Sequence, residues 1–117
     1  MSIKERIKNA KDLKTEIVKI PEWDNVEIEV RTMTGSQRAE MYSVAMSMED
    51  GKFDQKSFQT AQIIASCYDP ETGQPIFTKD DASWLMEKSS GPLEKLINKI
   101  AKVSGLTRNA LELAEKN

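Results

Sequence analysis

The chain has 117 residues, 31% of them charged and 38% hydrophobic, and its 17 Lys and Arg against 19 Asp and Glu leave a formal charge of -2. That length fits one domain with one modest core and excludes a separate catalytic lobe. The balanced charge excludes the basic surplus with which a duplex-binding protein neutralises phosphates, and no stretch approaches the roughly 20 apolar residues that cross a bilayer.

In the opening "MSIKERIKNAKDLKTE", Ile3, Ile7, Ala10 and Leu13 or Lys14 recur at helical spacing, with Lys4, Arg6, Lys8 and Lys11 around the other faces. This predicts a short amphipathic helix or arm over residues 1–14, ahead of a single α+β domain over 15–117. The segment lacks the apolar middle of a signal peptide, so export is not expected. Its apolar stripe is narrow and has no aromatic residue to sit at a membrane interface, so the basic side reads as solvated.

Next, Val18 and Ile20 flank Lys19, and Val26, Ile28 and Val30 alternate with Glu27, Glu29 and Arg31. Period-2 alternation is the signature of half-buried strands, and the two runs read as a β-hairpin. Pro21 fits a strand end, where its missing N–H breaks no ladder bond, and "PEWDN" supplies the Asp and Asn that favour a turn. Trp23 reads as a lid over the hairpin's apolar face, with an exposed anchor for a partner as the other reading.

"TGSQ" at 34–37 has the form of a capping box, Thr34 at the N-cap and Gln37 reaching back. The helix it opens carries Met41, Tyr42, Ala45 and Met48 on one face and is expected to stop at "EDGK", where Gly51 can take the left-handed conformation. Met33, Met41, Met46 and Met48 lie close together in sequence. Such side chains fill core gaps, and they also line surfaces that accommodate several partners.

"DQKSFQTAQIIASCYD" places Phe58, Ala61, Ile64 and Tyr68 at helical spacing, with Ile63 and Cys67 flanking them, which predicts a central helix. "DPETGQPIF" is a turn whose Ile76 and Phe77 are expected to re-enter the core. Thr78 can cap a helix bearing Trp84 and Leu85, with Asp80 and Asp81 at the positive end of its dipole. "KSSGP" separates it from a helix with Leu93, Leu96, Ile97, Ile100 and Val103 along one edge. Gly105 can close that helix, and Thr107 can cap a last one, "RNALELAEKN". The sum is an α+β fold, mostly α: an N-terminal β-hairpin followed by a bundle of about four to five helices.

Catalytic equipment is missing. The chain has no histidine, which excludes histidine-based triads, histidine acid–base steps and most zinc sites. The single cysteine, Cys67, sits in the apolar run "IIASCY", cannot form an internal disulfide, and fits a small buried hydrophobe in a reducing compartment. No Gly-rich loop resembles a phosphate cradle, and "DPETGQ" has too few well-spaced oxygens for a calcium loop. Glu27 and Glu29 read as a strand's wet side. The chain is expected to be no enzyme and to need no cofactor or metal.

Three stretches go further: "KIPEWDNVEIEVRTMTGSQRAEM", "DPETGQPIFTKDDASWLMEKSSGPLEKLINKIAKVSGLT" and "ALELAEKN". In their order and spacing they resemble the tail assembly chaperones of long-tailed, siphovirus-like bacteriophages, from about residue 17 to the end, with residues 40–62 matching only in character. The resemblance implies a non-enzymatic protein of the host cell cytoplasm that binds the apolar, helical tape measure protein, keeps it soluble, recruits major tail protein subunits and is absent from the mature virion. Nucleic acid and membrane are not expected partners. The other reading is a small structural virion protein, such as a head–tail connector or tail completion protein.

The candidate partner-binding residues are Met41, Met46, Met48, Leu93, Leu96, Ile97 and Ile100, some of which a domain of this size needs for its core, and the candidate structural residues are Trp23, Gly51 and Gly105. Self-association in head-to-tail arrays is expected, since lined-up copies gain avidity on a long client. Chaperones of this family are often made in two forms, the longer one extended by ribosomal frameshifting near the end of the gene. Glu115, Lys116 and Asn117 are compatible with an A-rich slippery run.

Overall fold

A computed structural model describes residues 1–46 and 51–105. The architecture is α+β and mostly helical: α1 (Ile3–Asn9), β1 (Thr15–Ile20), β2 (Val26–Arg31), α2 (Gly35–Ala45), α3 (Gln55–Ser66), β3 (Cys67–Tyr68), α4 (Ala82–Leu85) and α5 (Ser90–Val103). β1 and β2 form the expected antiparallel hairpin, with Val18 opposite Ile28 and Ile20 opposite Val26, and β3 extends it to a sheet of order β1-β2-β3.

Alternation decides which face of the hairpin is wet. Val18, Ile20, Ile28 and Val30 point inward and are buried, while Lys19 and Glu27 face solvent. The chain reverses through a single turn of 3-10 helix over Pro21–Trp23, followed by Asp24 and Asn25, both at φ 57. Asp and Asn tolerate this left-handed region because their short side chains bond locally. Trp23 is half-buried and packs against the core.

The inner face of the hairpin is covered by α5, which buries Leu93, Leu96, Ile100 and Val103, and α3, which buries Phe58 and Ile63, packs against α5. α2 packs on the far side of α3 through Met41 and Ala45. Two side chains tie α5 to β1: Lys95 Nζ donates to the Lys19 carbonyl at 2.8 Å, and Lys99 lies 3.7 Å from Glu16. At the other end of α5 the last carbonyls are satisfied from the β2–α2 connection and from α2 itself. Thr32 Oγ1 donates to the Val103 carbonyl at 3.1 Å, and Arg38 Nη2 to that of Ser104 at 3.0 Å. Gly105, at φ 74, leads the chain out of the helix.

Several boundaries differ from the sequence expectation, each for a physical reason. α1 ends at Asn9, so Leu13 lies beyond it. α2 ends at Ala45 rather than running to "EDGK", because Met46 turns extended and bridges Phe53 while Asp54 N–H donates to the Ala45 carbonyl at 2.7 Å. Met48 lies outside the described residues, as does the expected helix after Thr107. Gly51 has φ 66. Tyr68 is not on α3: the chain straightens at Cys67, and Cys67 and Tyr68 pair with Val30 and Glu29 on the open side of β2. Ser90, Gly91 and Pro92 form the first turn of α5 instead of a linker, since a proline there lacks only an N–H that has no helical partner anyway. Phe77 packs on the core, but Ile76 remains 37% exposed.

Candidate functional site

α2, α3 and the short α4 enclose a groove of about 520 Å³. Its apolar lining is Met41 and Val44 from α2, Ala61, Ile64 and Ala65 from α3, and Ala82 from α4; its rim is Gln37, Glu40, Lys56, Ser57, Thr60 and Lys79. Met41 is fully covered and forms part of the floor, whereas Val44 is 51% exposed and forms a wall. The small residues on the α3 side leave room for another backbone to approach closely.

Each wall is placed by local chemistry. The capping box at the start of α2 is complete, with Gln37 N–H donating to Thr34 Oγ1 at 3.1 Å and Thr34 N–H to Gln37 Oε1 at 2.9 Å. α3 starts at Asp54, whose carboxylate accepts from Lys56 N–H at 3.1 Å and Ser57 Oγ at 2.6 Å. Ahead of α4, Asp81 Oδ2 accepts from Thr78 N–H at 2.8 Å, and its Oδ1 from Trp84 Nε1 at 3.0 Å. The bond from Ser57 holds the Asp54 carboxyl below its ordinary pKa, and those from Thr78 and then Trp84 do the same for Asp81. Two exposed ion pairs tie the α4 side to its neighbours: Lys79 to Glu40 at 3.4 Å and Lys56 to Glu87 at 3.7 Å.

Apolar surface continues beyond the end of α2. Tyr42 and Phe53 both stack at a tilt against Phe58, with ring centroids 5.1 and 5.0 Å apart, and Tyr42, Met46 and Phe53 are 38%, 45% and 48% exposed. Trp84 is 45% exposed and meets Phe77 edge-on. The outer face of the sheet is different in kind. There Arg31 pairs with Glu29, lies 3.8 Å over the Tyr68 ring and donates to the Gly73 carbonyl, clamping the 69–75 turn to β2.

Of the seven side chains singled out from the sequence as partner-binding, Met41, Leu93, Leu96 and Ile100 lie in the core, Ile97 is partly buried against it, and Met46 is on the surface. Val44, Phe53 and Ala65 are not singled out from the sequence, and Ala61 and Ile64 read there only as part of the apolar face of a central helix. Chemically the groove offers apolar contact with a rim of Gln, Glu, Lys, Ser and Thr side chains. Cys67 is fully buried and desolvation pushes its thiol up to about 12, and among the described residues no cluster of acidic or cysteine side chains could hold a metal. Nor is any described helix long and apolar enough to cross a membrane.

No protein-family model matches the chain, and no curated protein matches it. Its counterpart is found in structure. The α+β fold is similar to that of a phage tail assembly chaperone. The chain superposes on the tail assembly chaperone of bacteriophage HK97 with a TM-score of 0.60 over 91% of its own length and 94% of the other, at 19% sequence identity.

Proposed function

We propose that this chain is a phage tail assembly chaperone that binds the tape measure protein in the host cytoplasm, keeps it soluble and helps recruit major tail protein subunits, and that it is left behind by the finished virion. It is not an enzyme in this reading. The observation that carries it is the apolar groove between α2, α3 and α4, set on a fold shared with the HK97 chaperone.

An unassembled tape measure exposes long apolar helix faces, and such faces aggregate unless covered. A groove between helices covers them in the usual helix-in-groove manner, taking anchor side chains spaced at i, i+3, i+4 and i+7. Val44 and Ile64 meet those anchors, and Tyr42, Met46 and Phe53 extend the contact along the client. One groove holds only a short length of helix, so several copies side by side on one client raise the overall affinity. This supports self-association on the client and fits a minor, frameshifted form that adds a module for the tail subunits.

Co-expression with a tape measure fragment tests the reading. The fragment should move into the soluble fraction with the wild-type chain and remain insoluble with Val44→Asp. A fragment equally insoluble with and without the wild-type chain overturns it.

A further inference from the structure

β1 is the outer strand of the sheet, and one of its sides is open. Thr32 N–H donates to the Lys14 carbonyl, which in an antiparallel ladder turns the main chain of Glu16, Val18 and Ile20 toward β2 and that of Thr15, Ile17 and Lys19 away from it. Lys95 Nζ takes the outward carbonyl of Lys19, and among the described residues no hydrogen bond reaches the outward N–H and C=O of Thr15 and Ile17.

The two faces of this edge differ. α5 lies along one of them and runs against β1: Lys95 meets Lys19, Lys99 is 3.7 Å from Glu16, and the Val103 carbonyl accepts from Thr32 Oγ1, itself bonded to Lys14. At about 100° per residue Lys95, Lys99 and Lys102 share an arc of about 60°, and Glu94 falls about 80° outside it. Where the strand begins, the edge opens on a trough of about 740 Å³ with Asp12, Lys14, Glu16 and Lys102 in its walls. The α5 side thus sets four lysines against Asp12 and Glu16. On the other face Ile17 is 50% exposed, and Lys19 stands opposite Glu27.

We propose that the open edge of β1 is a docking site for an extended acidic segment of a partner protein, which adds to the sheet as a further strand with carboxylates on the residues that face α5 and apolar side chains between them, beside Ile17. The main chain of Thr15 and Ile17 supplies the ladder bonds, and the lysine row supplies the choice of partner. Spacing agrees: alternate residues of a strand are about 6.6 Å apart, and Lys95 and Lys99 about 6 Å along their helix. Lys95 leaves the Lys19 carbonyl as the strand arrives, and a carboxylate of that strand takes its ammonium. Lysines also shield edge strands from open-ended pairing. Shielding asks only for charge on the strand itself, whereas a row of lysines on a second element, all along one face of the edge, matches an alternating acidic strand.

This site shares no residue with the α2–α3–α4 groove, so the two readings stand or fall separately. Peptide titration with amide hydrogen exchange tests it, using a fluorescein-labelled octapeptide of alternating Glu and Val as the probe and its Gln-for-Glu counterpart as the control. The acidic peptide should bind at least tenfold more tightly than the control and slow exchange at Thr15 and Ile17 at least tenfold, leaving Glu16 and Val18, already bonded to β2, unchanged. Lys95→Gln/Lys99→Gln/Lys102→Gln should weaken binding at least tenfold. Ile17→Pro, which removes an outward N–H and no bond to β2, should do the same, and circular dichroism checks the fold of both variants. Unchanged exchange at Thr15 and Ile17 under millimolar peptide, equal binding of the control, or full binding by folded Ile17→Pro overturns the proposal. So does a lysine variant that aggregates while the wild type binds no peptide, which leaves the row as a shield, or a single-stranded oligonucleotide that binds wild type and Ile17→Pro alike and more tightly than the peptide, which leaves a plain cationic patch.

Discussion

Asp54 and Asp81 do at single residues what a longer loop would otherwise have to do. Asp54 accepts from Lys56 N–H and Ser57 Oγ at the start of α3, Asp81 accepts from Thr78 N–H and Trp84 Nε1 just ahead of α4, and each carboxyl is thereby held below its ordinary value of 3.8. A carboxylate with a lowered folded-state pKa adds stability that is fully present above the unfolded value and is lost as pH falls through the folded one. Asp54→Ala and Asp81→Ala should therefore each lower Tm at pH 7, and the gap to wild type should shrink as the pH is taken below 3.8. Asp81→Ala should also shift the fluorescence of Trp84, whose indole N–H loses its acceptor. Cys67 gives a second residue-scale expectation. With its thiol pushed up to about 12 by burial, it should resist a maleimide reagent in the native chain at pH 7 and react at once in denaturant. Labelling of the folded protein at the rate of a free thiol would contradict the burial.

Among the elements, α2 and α5 are held by different forces. α2 buries little beyond Met41 and Ala45 and depends on its capping box, so Thr34→Ala should cost about 0.5–2 kcal/mol in urea unfolding. α5 depends on its buried stripe, and Leu96→Ala, at a fully buried position, should cost about 2–5 kcal/mol. A smaller effect at Leu96 than at Thr34 would reverse this account. Both features were legible in the sequence, the box as Thr34 with Gln37 and the stripe as Leu93, Leu96, Ile100 and Val103. The end of α2 was not, because it is set by Met46 bridging Phe53 and by Asp54 bonding back to Ala45. β3 was hidden too, since Cys67 and Tyr68 carry the helical spacing of α3 and become strand only where β2 offers an unpaired edge.

At the scale of the whole molecule, the groove should be separable from the fold. Val44→Asp alters an exposed side chain, so its unfolding free energy should stay within about 0.5 kcal/mol of wild type while client solubilisation falls. Lys79→Ala breaks an exposed ion pair and should change stability by less than about 1 kcal/mol, since solvent screens such pairs. The sequence by itself determined the hairpin, its wet and dry faces, the caps, the amphipathic α5 and the lack of histidine-based chemistry, because each follows from the spacing of residues within one element. Tertiary structure alone decided which apolar side chains are available to a partner. Leu93, Leu96 and Ile100 form the strongest stripe in the chain, and that strength is what draws them under the hairpin. The surface left over is built from weaker pieces, Val44, Ile64 and the alanines of α3 and α4. They become a groove only because three helices meet around them, and a periodicity confined to one helix carries no record of that meeting.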